Sequence, residues 1–194
     1  AELGTPLVFE GNFSQDIFLA LPPDNWRFSP VEAPVGPLSA TGIHLVDLAI
    51  SLLGRPVEVW ARLSTQATHM ANGDTLTITL GFETGETALI TAVLATPFVG
   101  RVAMLGSEGW MEIRDRSHPQ DPRGWDVTRM PRGGEPATRF FGPHPSVRDN
   151  IEQFARAAHG DAEYPIPHAE ILAGARTFEA ITASALSGRV EKIL

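Results

Sequence analysis

Three polar side chains in an otherwise apolar run are the clearest chemical signal in this sequence. Asp47 and Ser51 follow His44 by three and seven positions, so a helix carries all three on one narrow face. The positive end of a helix dipole disfavours an imidazolium in the first turn. We therefore predict that His44 is a neutral imidazole that exchanges a proton near pH 7. Asp47, one turn further on, can hydrogen-bond the ring and fix its tautomer.

The same spacing also fits a structural alternative. In that alternative His44 is a core histidine, satisfied by Asp47 or by a backbone carbonyl. A metal centre is not predicted, because these two residues supply only two ligands and the chain has no cysteine. The histidines that we expect to be exposed, in loops or at the ends of elements, are His69, His118, His144 and His159.

Two further residues are candidates for contacting a substrate. Arg27 lies in a proline-rich loop beside Trp26, and a guanidinium there can bind an anionic or hydroxylated ligand; a plain surface position is the alternative. Trp26 is expected to anchor that loop. Thr41 is predicted to cap the start of the helix that carries His44, and Gly54 to end it.

Composition excludes several classes of protein. The chain has 194 residues and a formal net charge of -8, with no basic stripe, so a nucleic-acid partner is not expected. Of the fifteen basic residues, fourteen are Arg and one is Lys192, which disfavours a Schiff-base lysine. Long apolar runs, glycine-rich phosphate loops and cysteine nucleophiles are all missing from the sequence. We expect a cytoplasmic protein with no membrane partner.

Hydrophobic periodicity predicts a strand, a helix, a block of strands and two closing helices. The long last helix is expected to bury a stripe of Ile171, Leu172, Ala175, Phe178, Thr182 and Ala185. The predicted strands are 6–14, 57–68, 75–82, 87–96, 99–105, 110–114, 125–130, 137–141 and an edge strand at 190–193; the predicted helices are 41–54, 146–160 and 168–188.

This order of elements predicts a fold of the α+β class. Strands joined by short turns pair antiparallel, and helices that lie outside the strand block pack on one face of the sheet. No linker divides the chain, so residues 1–194 are expected to form one domain. The resulting sheet is large, open and mainly antiparallel. Its other face needs a cover, which predicts a homo-oligomer formed through that face.

Several short segments resemble the C-terminal domain of the Gfo/Idh/MocA oxidoreductases. The strongest is Gly36-Pro37-Leu38-Ser39-Ala40-Thr41-Gly42-Ile43-His44-Leu45-Val46-Asp47, followed by Leu53-Gly54-Arg55-Pro56-Val57. Further matching segments are Glu2 to Pro6, Gly106 to Gly109, Asn150 to Phe154, Tyr164 to Ile166, Glu179 to Ile181 and Ser184 to Gly188. The order and spacing of these segments extend the resemblance over essentially the whole chain.

The resemblance implies a two-domain enzyme acting on a sugar, a polyol or a related carbonyl compound. An N-terminal Rossmann domain, absent from this chain, would hold NAD or NADP and supply a lysine. No cofactor is then expected on this chain alone. This half would bind the small-molecule substrate and form oligomers, with His44 as the catalytic residue and Asp47, Thr41 and Arg27 as substrate contacts. Ala40 stands where the family often has an aspartate.

Two alternatives remain from the sequence. A stand-alone ligand-binding or dimerisation module without catalytic activity is consistent with Ala40, because the paired acid is missing. A structural α+β domain with a buried, satisfied His44 is the other. The two-domain enzyme and the stand-alone module differ in what precedes this chain, since a strand followed by Gly-x-Gly-x-x-Gly would identify the dinucleotide domain.

Overall fold

Alternating apolar residues build a nine-stranded sheet within residues 2–194, the part of the chain described by this computed structural model. Each predicted strand is present, with ends that differ by a few residues. The strands are β1 (Pro6–Ser14), β2 (Pro56–Ser64), β3 (Thr75–Phe82), β4 (Thr87–Val93), β5 (Val99–Gly106), β6 (Gly109–Asp115), β7 (Trp125–Pro131), β8 (Ala137–Phe141) and β9 (Glu191–Lys192).

The strand order across the sheet is β8-β7-β6-β5-β1-β4-β3-β2-β9. β1 is therefore central and pairs in parallel with β4, whereas the other neighbouring strands pair antiparallel. Short turns force the antiparallel pairs, but the long connection from β1 to β2 leaves β1 free to run parallel to a later strand. The predicted class, α+β with a large open and mainly antiparallel sheet, is confirmed.

The helix that carries His44 is α1 (Ile43–Leu53), and a π-helical turn, Leu38–Gly42, leads directly into it. Thr41 is therefore inside a helical turn, and its prediction as the cap is wrong. Its hydroxyl donates to the Pro37 carbonyl oxygen at 3.3 Å, and the residue is fully buried. Gly54 does end the helix, with φ 85°, a conformation that glycine adopts without strain.

The core lies between the sheet and two of the three helices, α1 and α3 (His168–Ser187). Both contact the half of the sheet that contains β1 to β4. Gly11 lets α1 approach β1 closely, because a Cβ atom there would lie 3.2 Å from the Leu45 methyl groups. The largest fully buried apolar side chains are Phe9, Leu38, Val46, Val59, Leu76, Leu80, Ile90, Leu94 and Ile181.

The predicted buried stripe of α3 is correct only in part, because Phe178 and Ala185 pack against the core but its first residues do not. Ile171 and Leu172 are about half exposed, whereas Thr177, Ala180, Ile181 and Ser184 are buried. Small and hydroxyl-bearing residues face inward because α3 lies close against β2. There the Ala61 N–H donates to Ser184 Oγ at 2.9 Å, which satisfies a backbone donor near the sheet edge.

Two surfaces of this fold are uncovered in the described part of the chain. Helix α2 (Ser146–His159) has no buried residue and leaves Val147, Ile151 and Phe154 at least 60% exposed. The face of the sheet opposite α1 and α3 has no helix against it. Trp60 of β2 and Leu89 of β4 are exposed on this face. Both are paired with Thr79 of β3, the strand between them.

Candidate functional site

The three polar residues of α1 share one face, as the spacing predicts, and that face points away from the core. His44, Asp47 and Ser51 are all exposed, so the alternative of a buried core histidine is wrong. The expected pairing of His44 with Asp47 is also wrong, because no hydrogen bond joins them in the described residues. The Ser51 hydroxyl is used within the helix, where it donates to the Leu48 carbonyl oxygen at 2.9 Å.

An aromatic cluster holds the His44 ring at the end of β1. We define this cluster as Phe13, His44, Phe98 and His118. The Phe13 ring lies 6.1 Å from His44, 6.2 Å from Phe98 and 6.2 Å from His118, and Phe98 lies 5.3 Å from His118 between ring centroids. His118 was predicted to be an exposed loop residue, but it is half-buried within this cluster.

A buried amide fixes the second histidine of the cluster. His118 Nε2 lies 2.5 Å from Gln15 Oε1, and Gln15 is only 4% exposed. The Gln120 N–H donates to His118 Nδ1 at 3.2 Å. Since Nδ1 accepts, the ring carries its proton on Nε2 and donates it to the Gln15 carbonyl oxygen. Sequence reasoning missed this pair because its members stand 103 positions apart.

Asp115 adds a carboxyl group beside the cluster, at the end of β6. Burial raises the pKa of Asp115, and hydrogen bonds from Trp125 and from its own backbone N–H, together with the nearby His118, offset that effect only in part. Trp125 Nε1 donates to Asp115 Oδ1 at 2.7 Å. The two residues also line two open grooves, with volumes of about 600 and 740 Å³, on the helix side of the sheet.

A strained loop leads into the helix of His44. Val35 is buried and has φ 52°, which is costly for a β-branched residue. Asn72 holds the loop. Its side-chain Nδ2 donates to the backbone carbonyl oxygens of Arg27 at 2.7 Å and Ala33 at 2.8 Å, and its backbone carbonyl oxygen accepts from the Gly36 N–H at 2.7 Å. These bonds fix where α1 begins, and no local sequence motif indicates them.

Asp74 stabilises the segment between β2 and β3, at the same end of the sheet. The residue is fully buried, and its carboxylate accepts hydrogen bonds from the backbone N–H groups of Gln66, Ala67 and Thr68. The hydroxyls of Thr68 and Thr75 donate to it as well. The chain segment between β2 and β3 is thereby folded around one carboxylate.

The remaining predicted site residues lie apart from the aromatic cluster. Arg27 packs over Trp26 at 4.4 Å and over Phe18 at 5.6 Å from the guanidinium carbon to the ring centroid. Trp26 is 51% exposed, so its prediction as a loop anchor is wrong. No hydrogen bond joins His44 to Arg27 or Thr41 among residues 2–194, and the substrate contacts of these two residues stay predictions. The burial of Thr41 favours a role in placing the turn before α1.

Two other kinds of site are absent from residues 2–194. Histidine and carboxylate side chains form no group of three or more that could hold a metal ion there. No helix in that part of the chain has the length and apolar character to cross a membrane.

Sequence comparison places residues 1–112 in the family described as GFO/IDH/MocA C-terminal domain. A curated relative, D-xylose 1-dehydrogenase (NADP(+)) 2 of Haloferax volcanii, is 28% identical over 191 residues, which are 97% of this chain and 56% of that protein.

Solved structures share the fold over nearly the whole chain. One from Desulfitobacterium hafniense has a TM-score of 0.89 at 23% identity and covers 99% of this chain and 58% of its own. The aldose-aldose oxidoreductase of Caulobacter crescentus, solved with glycerol, has a TM-score of 0.81 at 25% identity and covers 98% of this chain and 56% of its own. The chain thus spans little more than half the length of these proteins.

Proposed function

From the premise that this chain belongs to the Gfo/Idh/MocA oxidoreductase family, we propose that it forms the substrate-binding and oligomerising part of an NAD(P)-dependent enzyme that acts on a sugar, a polyol or a related carbonyl compound. Proteins to which this chain is similar include a D-xylose dehydrogenase and an aldose-aldose oxidoreductase. The observation that carries the proposal is the exposed His44, held against Phe13 on a helix that the family sequence pattern includes.

The chemistry that we assign to His44 is exchange of a substrate hydroxyl proton. Oxidation of an alcohol to a carbonyl removes that proton, and an imidazole can accept it near neutral pH; in the reverse direction it donates the proton. The ring of His44 is exposed and Asp47 lies one turn further along α1. Ala40 has no side-chain oxygen with which to assist, so the second proton-handling group has to come from elsewhere.

The described residues do not fit the binding of a dinucleotide. A dinucleotide diphosphate rests on a glycine-rich turn between a strand and the N-terminus of a helix. Here β1 leads into two short 3₁₀ turns, Ile17–Ala20 and Trp26–Phe28, and the sequence has no Gly-x-Gly-x-x-Gly. We therefore assign NAD or NADP to a part of the enzyme outside this chain, and any lysine of the site as well.

The proposal is tested with the complete protein that the gene encodes. Incubation with D-xylose, D-glucose or a polyol and either NAD⁺ or NADP⁺ is expected to produce the reduced nucleotide, measured by its absorbance. A matched reaction without sugar is the control. A complete protein that turns over none of these compounds with either nucleotide contradicts the proposed activity.

A ligand-binding or dimerisation module without catalytic activity is the second candidate, and Ala40 is the observation that favours it. The same assay separates the two, because a module binds sugar or self-associates without reducing a nucleotide. The sequence that precedes this chain in the gene separates them as well. A strand followed by a glycine-rich dinucleotide turn favours the enzyme.

The open face of the sheet supports the proposed self-association. It carries exposed apolar side chains, among them Trp60, Leu89 and Trp110, and an ion-pair network at its centre. In that network Arg101 lies 2.7 Å from Glu10 and 2.6 Å from Glu112. A twofold contact is closed and self-complementary, and a broad sheet face offers the area that a stable dimer needs.

Replacing exposed apolar residues on this face by glutamate is expected to abolish the oligomer. Sedimentation velocity at about 100 μM should show a dimer or a larger oligomer for the wild type, since standard-size interfaces bind more tightly than that. Trp60→Glu together with Leu89→Glu should yield a monomer. Leu186→Glu, at an exposed position near the end of α3, is the matched control. A monomeric wild type, or an oligomer that survives the double substitution, contradicts the proposal.

A further inference from the structure

We propose that Asn72 is a positioning residue for His44, and that it acts through the π-helical turn Leu38–Gly42 that precedes α1. This inference deepens the proposed function and rests on it, because it concerns the same His44. Among residues 2–194 the Asn72 side chain bonds to backbone groups of the preceding loop. It holds the backbone that leads into the turn, and the turn holds the first residues of α1.

The bonds of Asn72 lie on both sides of Val35. Nδ2 donates to the Ala33 carbonyl oxygen, two residues before Val35. The Asn72 backbone carbonyl oxygen accepts from the Gly36 N–H, immediately after it. Val35 itself is buried with φ 52°, a conformation that a β-branched residue keeps only where its surroundings impose it. The two flanking bonds from Asn72 are such surroundings.

The Asn72 amide requires a glycine at position 36. Gly36 is not among the residues with a positive φ, so its backbone conformation alone does not demand glycine. A Cβ atom there, however, would lie 2.9 Å from the Cγ, Nδ2 and Oδ1 atoms of Asn72. The amide therefore lies directly against the Cα atom of Gly36, and any side chain at this position would displace it.

The carbonyl oxygen of Val35 connects this loop to the π-helical turn. It accepts from the Leu38 N–H at 2.8 Å and from the Ser39 N–H at 3.1 Å, which are the first two donors of the turn. At the other end of the turn, the Ile43 N–H donates to the Leu38 carbonyl oxygen five residues earlier, the bond that defines a π-helix. The direction of the Val35 carbonyl therefore sets where the turn begins.

The first turn of α1 depends on this π-helical turn for its hydrogen bonds. The first N–H groups of an α-helix need acceptors from outside the helix. Among residues 2–194 no side chain caps α1 at Gly42, so the backbone carbonyl groups of the π-helical turn have to accept. His44 is the second residue of α1, whereas the buried residues of the helix begin at Leu45. A change in the turn should therefore move His44 away from Phe13 more than it moves the rest of α1.

The unpartnered half of the Asn72 amide shows that the fold uses its donors. Oδ1 is buried and has no hydrogen-bond partner among residues 2–194, which is rare and destabilising for a buried acceptor. Reversing the amide would place Oδ1 against the carbonyl oxygens of Arg27 and Ala33, so the orientation is fixed. The chain thus keeps a strained Val35 and an unpartnered acceptor beside the turn that leads to His44. Such costly combinations are typical of functional positions.

Asn72→Asp tests the inference, because aspartate has the shape of asparagine but lacks the Nδ2 donors. In the complete enzyme with D-xylose as substrate, we expect kcat to fall roughly 10- to 100-fold, the scale for a misplacement of about 1 Å, with KM changed by less than about twofold. Asn25→Asp is the matched control. The Asn25 side chain accepts from the Arg27 N–H at 3.1 Å, and a carboxylate accepts there as well, so kcat should equal that of the wild type.

Gly36→Ala displaces the amide without changing a charge, and it decides the question if Asn72→Asp does not fold. We expect a similar loss of kcat. The double variant should be no worse than the more affected single variant, because both substitutions release the same loop. A purely structural role predicts instead a lower Tm with additive effects and an unchanged kcat of the folded enzyme, and that result overturns the proposal.

The position of the His44 ring is measured by NMR without turnover. In the complete protein labelled with ¹³C at histidine Cε1, the His44 resonance is the one missing from His44→Ala, and the Phe13 ring beside it shifts its frequency. We expect Asn72→Asp and Gly36→Ala to move this resonance toward that of a histidine in a free peptide. Asn25→Asp should leave it in place.

The two measurements separate this inference from the proposed function. If the wild type oxidises no sugar but both variants move the His44 resonance, the proposed activity fails and the role of Asn72 in placing His44 stands. If the wild type oxidises D-xylose and both variants leave kcat and the resonance unchanged, the activity stands and the role of Asn72 fails. In an active enzyme, a change in only one of the two also overturns the proposal, because the effect on kcat has to pass through the His44 ring.

Discussion

His44→Ala is expected to lower kcat of the complete enzyme by about 100-fold, the usual scale for loss of an acid–base group. The structure separates this effect from folding, because the His44 side chain is exposed and has no hydrogen-bond partner among the described residues. Its removal costs one ring contact with Phe13, and Tm should therefore stay close to that of the wild type. Steady-state kinetics and a thermal melt on the same preparation measure both quantities.

The matched control for this experiment is His159→Ala. His159 is an exposed histidine near the end of α2, and its ring lies 3.2 Å from Asp161, away from the aromatic cluster. Its replacement should leave kcat unchanged. A His44→Ala enzyme with wild-type turnover would remove His44 from the mechanism, and a lower Tm with normal kcat would show that the residue only supports the fold.

Asp74→Ala is expected to reduce the free energy of unfolding at pH 7 by about 3 kcal/mol, in the range for breaking a buried network around a charged group. The substitution leaves the backbone donors of Gln66, Ala67 and Thr68 without their acceptor. The segment between β2 and β3 then loses the group around which it is folded. Urea unfolding measures the change, and Asp24→Ala, at an exposed position, is the control.

The contribution of Asp74 to the free energy of unfolding should decrease as the pH falls. Burial alone raises the pKa of Asp74, but hydrogen bonds from the Ala67 and Gln66 backbone and from the Thr75 and Thr68 hydroxyls outweigh it and hold the pKa below its ordinary value of 3.8. The contribution to stability is therefore complete above that ordinary value and is lost as the pH falls through the lower folded-state pKa. The difference between Asp74→Ala and the wild type should shrink on acidification; a difference that grows would contradict this assignment.

Local patterns in the sequence were sufficient to predict the helices and strands and to place the polar residues of α1 on one face. The turns Glu83-Thr84-Gly85-Glu86 and Gly106-Ser107-Glu108-Gly109 predicted hairpins, and both join neighbouring antiparallel strands. The spacing from His44 to Ser51 predicted that the polar residues of α1 share one face. These features are local, because each depends on residues within one or two turns of the chain.

The errors arise where distant segments meet. The inward face of α3 is set by its close approach to β2, which favours Ser184 over larger apolar residues, and helical periodicity alone does not show that approach. The pairing of Gln15 with His118 and the anchoring of the Arg27 loop by Asn72 join segments far apart in sequence. A side chain that appears to be an ordinary loop residue in the sequence becomes part of the candidate site through such contacts.

The central position of β1 has a consequence for how the chain folds. Strands β2 to β4 and β5 to β8 are each successive hairpins, whose contacts are close in sequence and form quickly. β1 lies between the two groups and hydrogen-bonds to both β4 and β5, so this strand pairs with residues that follow it by roughly eighty positions in the sequence. Pairing strands that are distant in sequence is slow compared with forming a hairpin, because the entropy of closing the long loop is lost before the contacts form. We therefore expect the two meanders to form first and β1 to join them in the rate-limiting step, which also assembles the surroundings of Phe13 and Gln15.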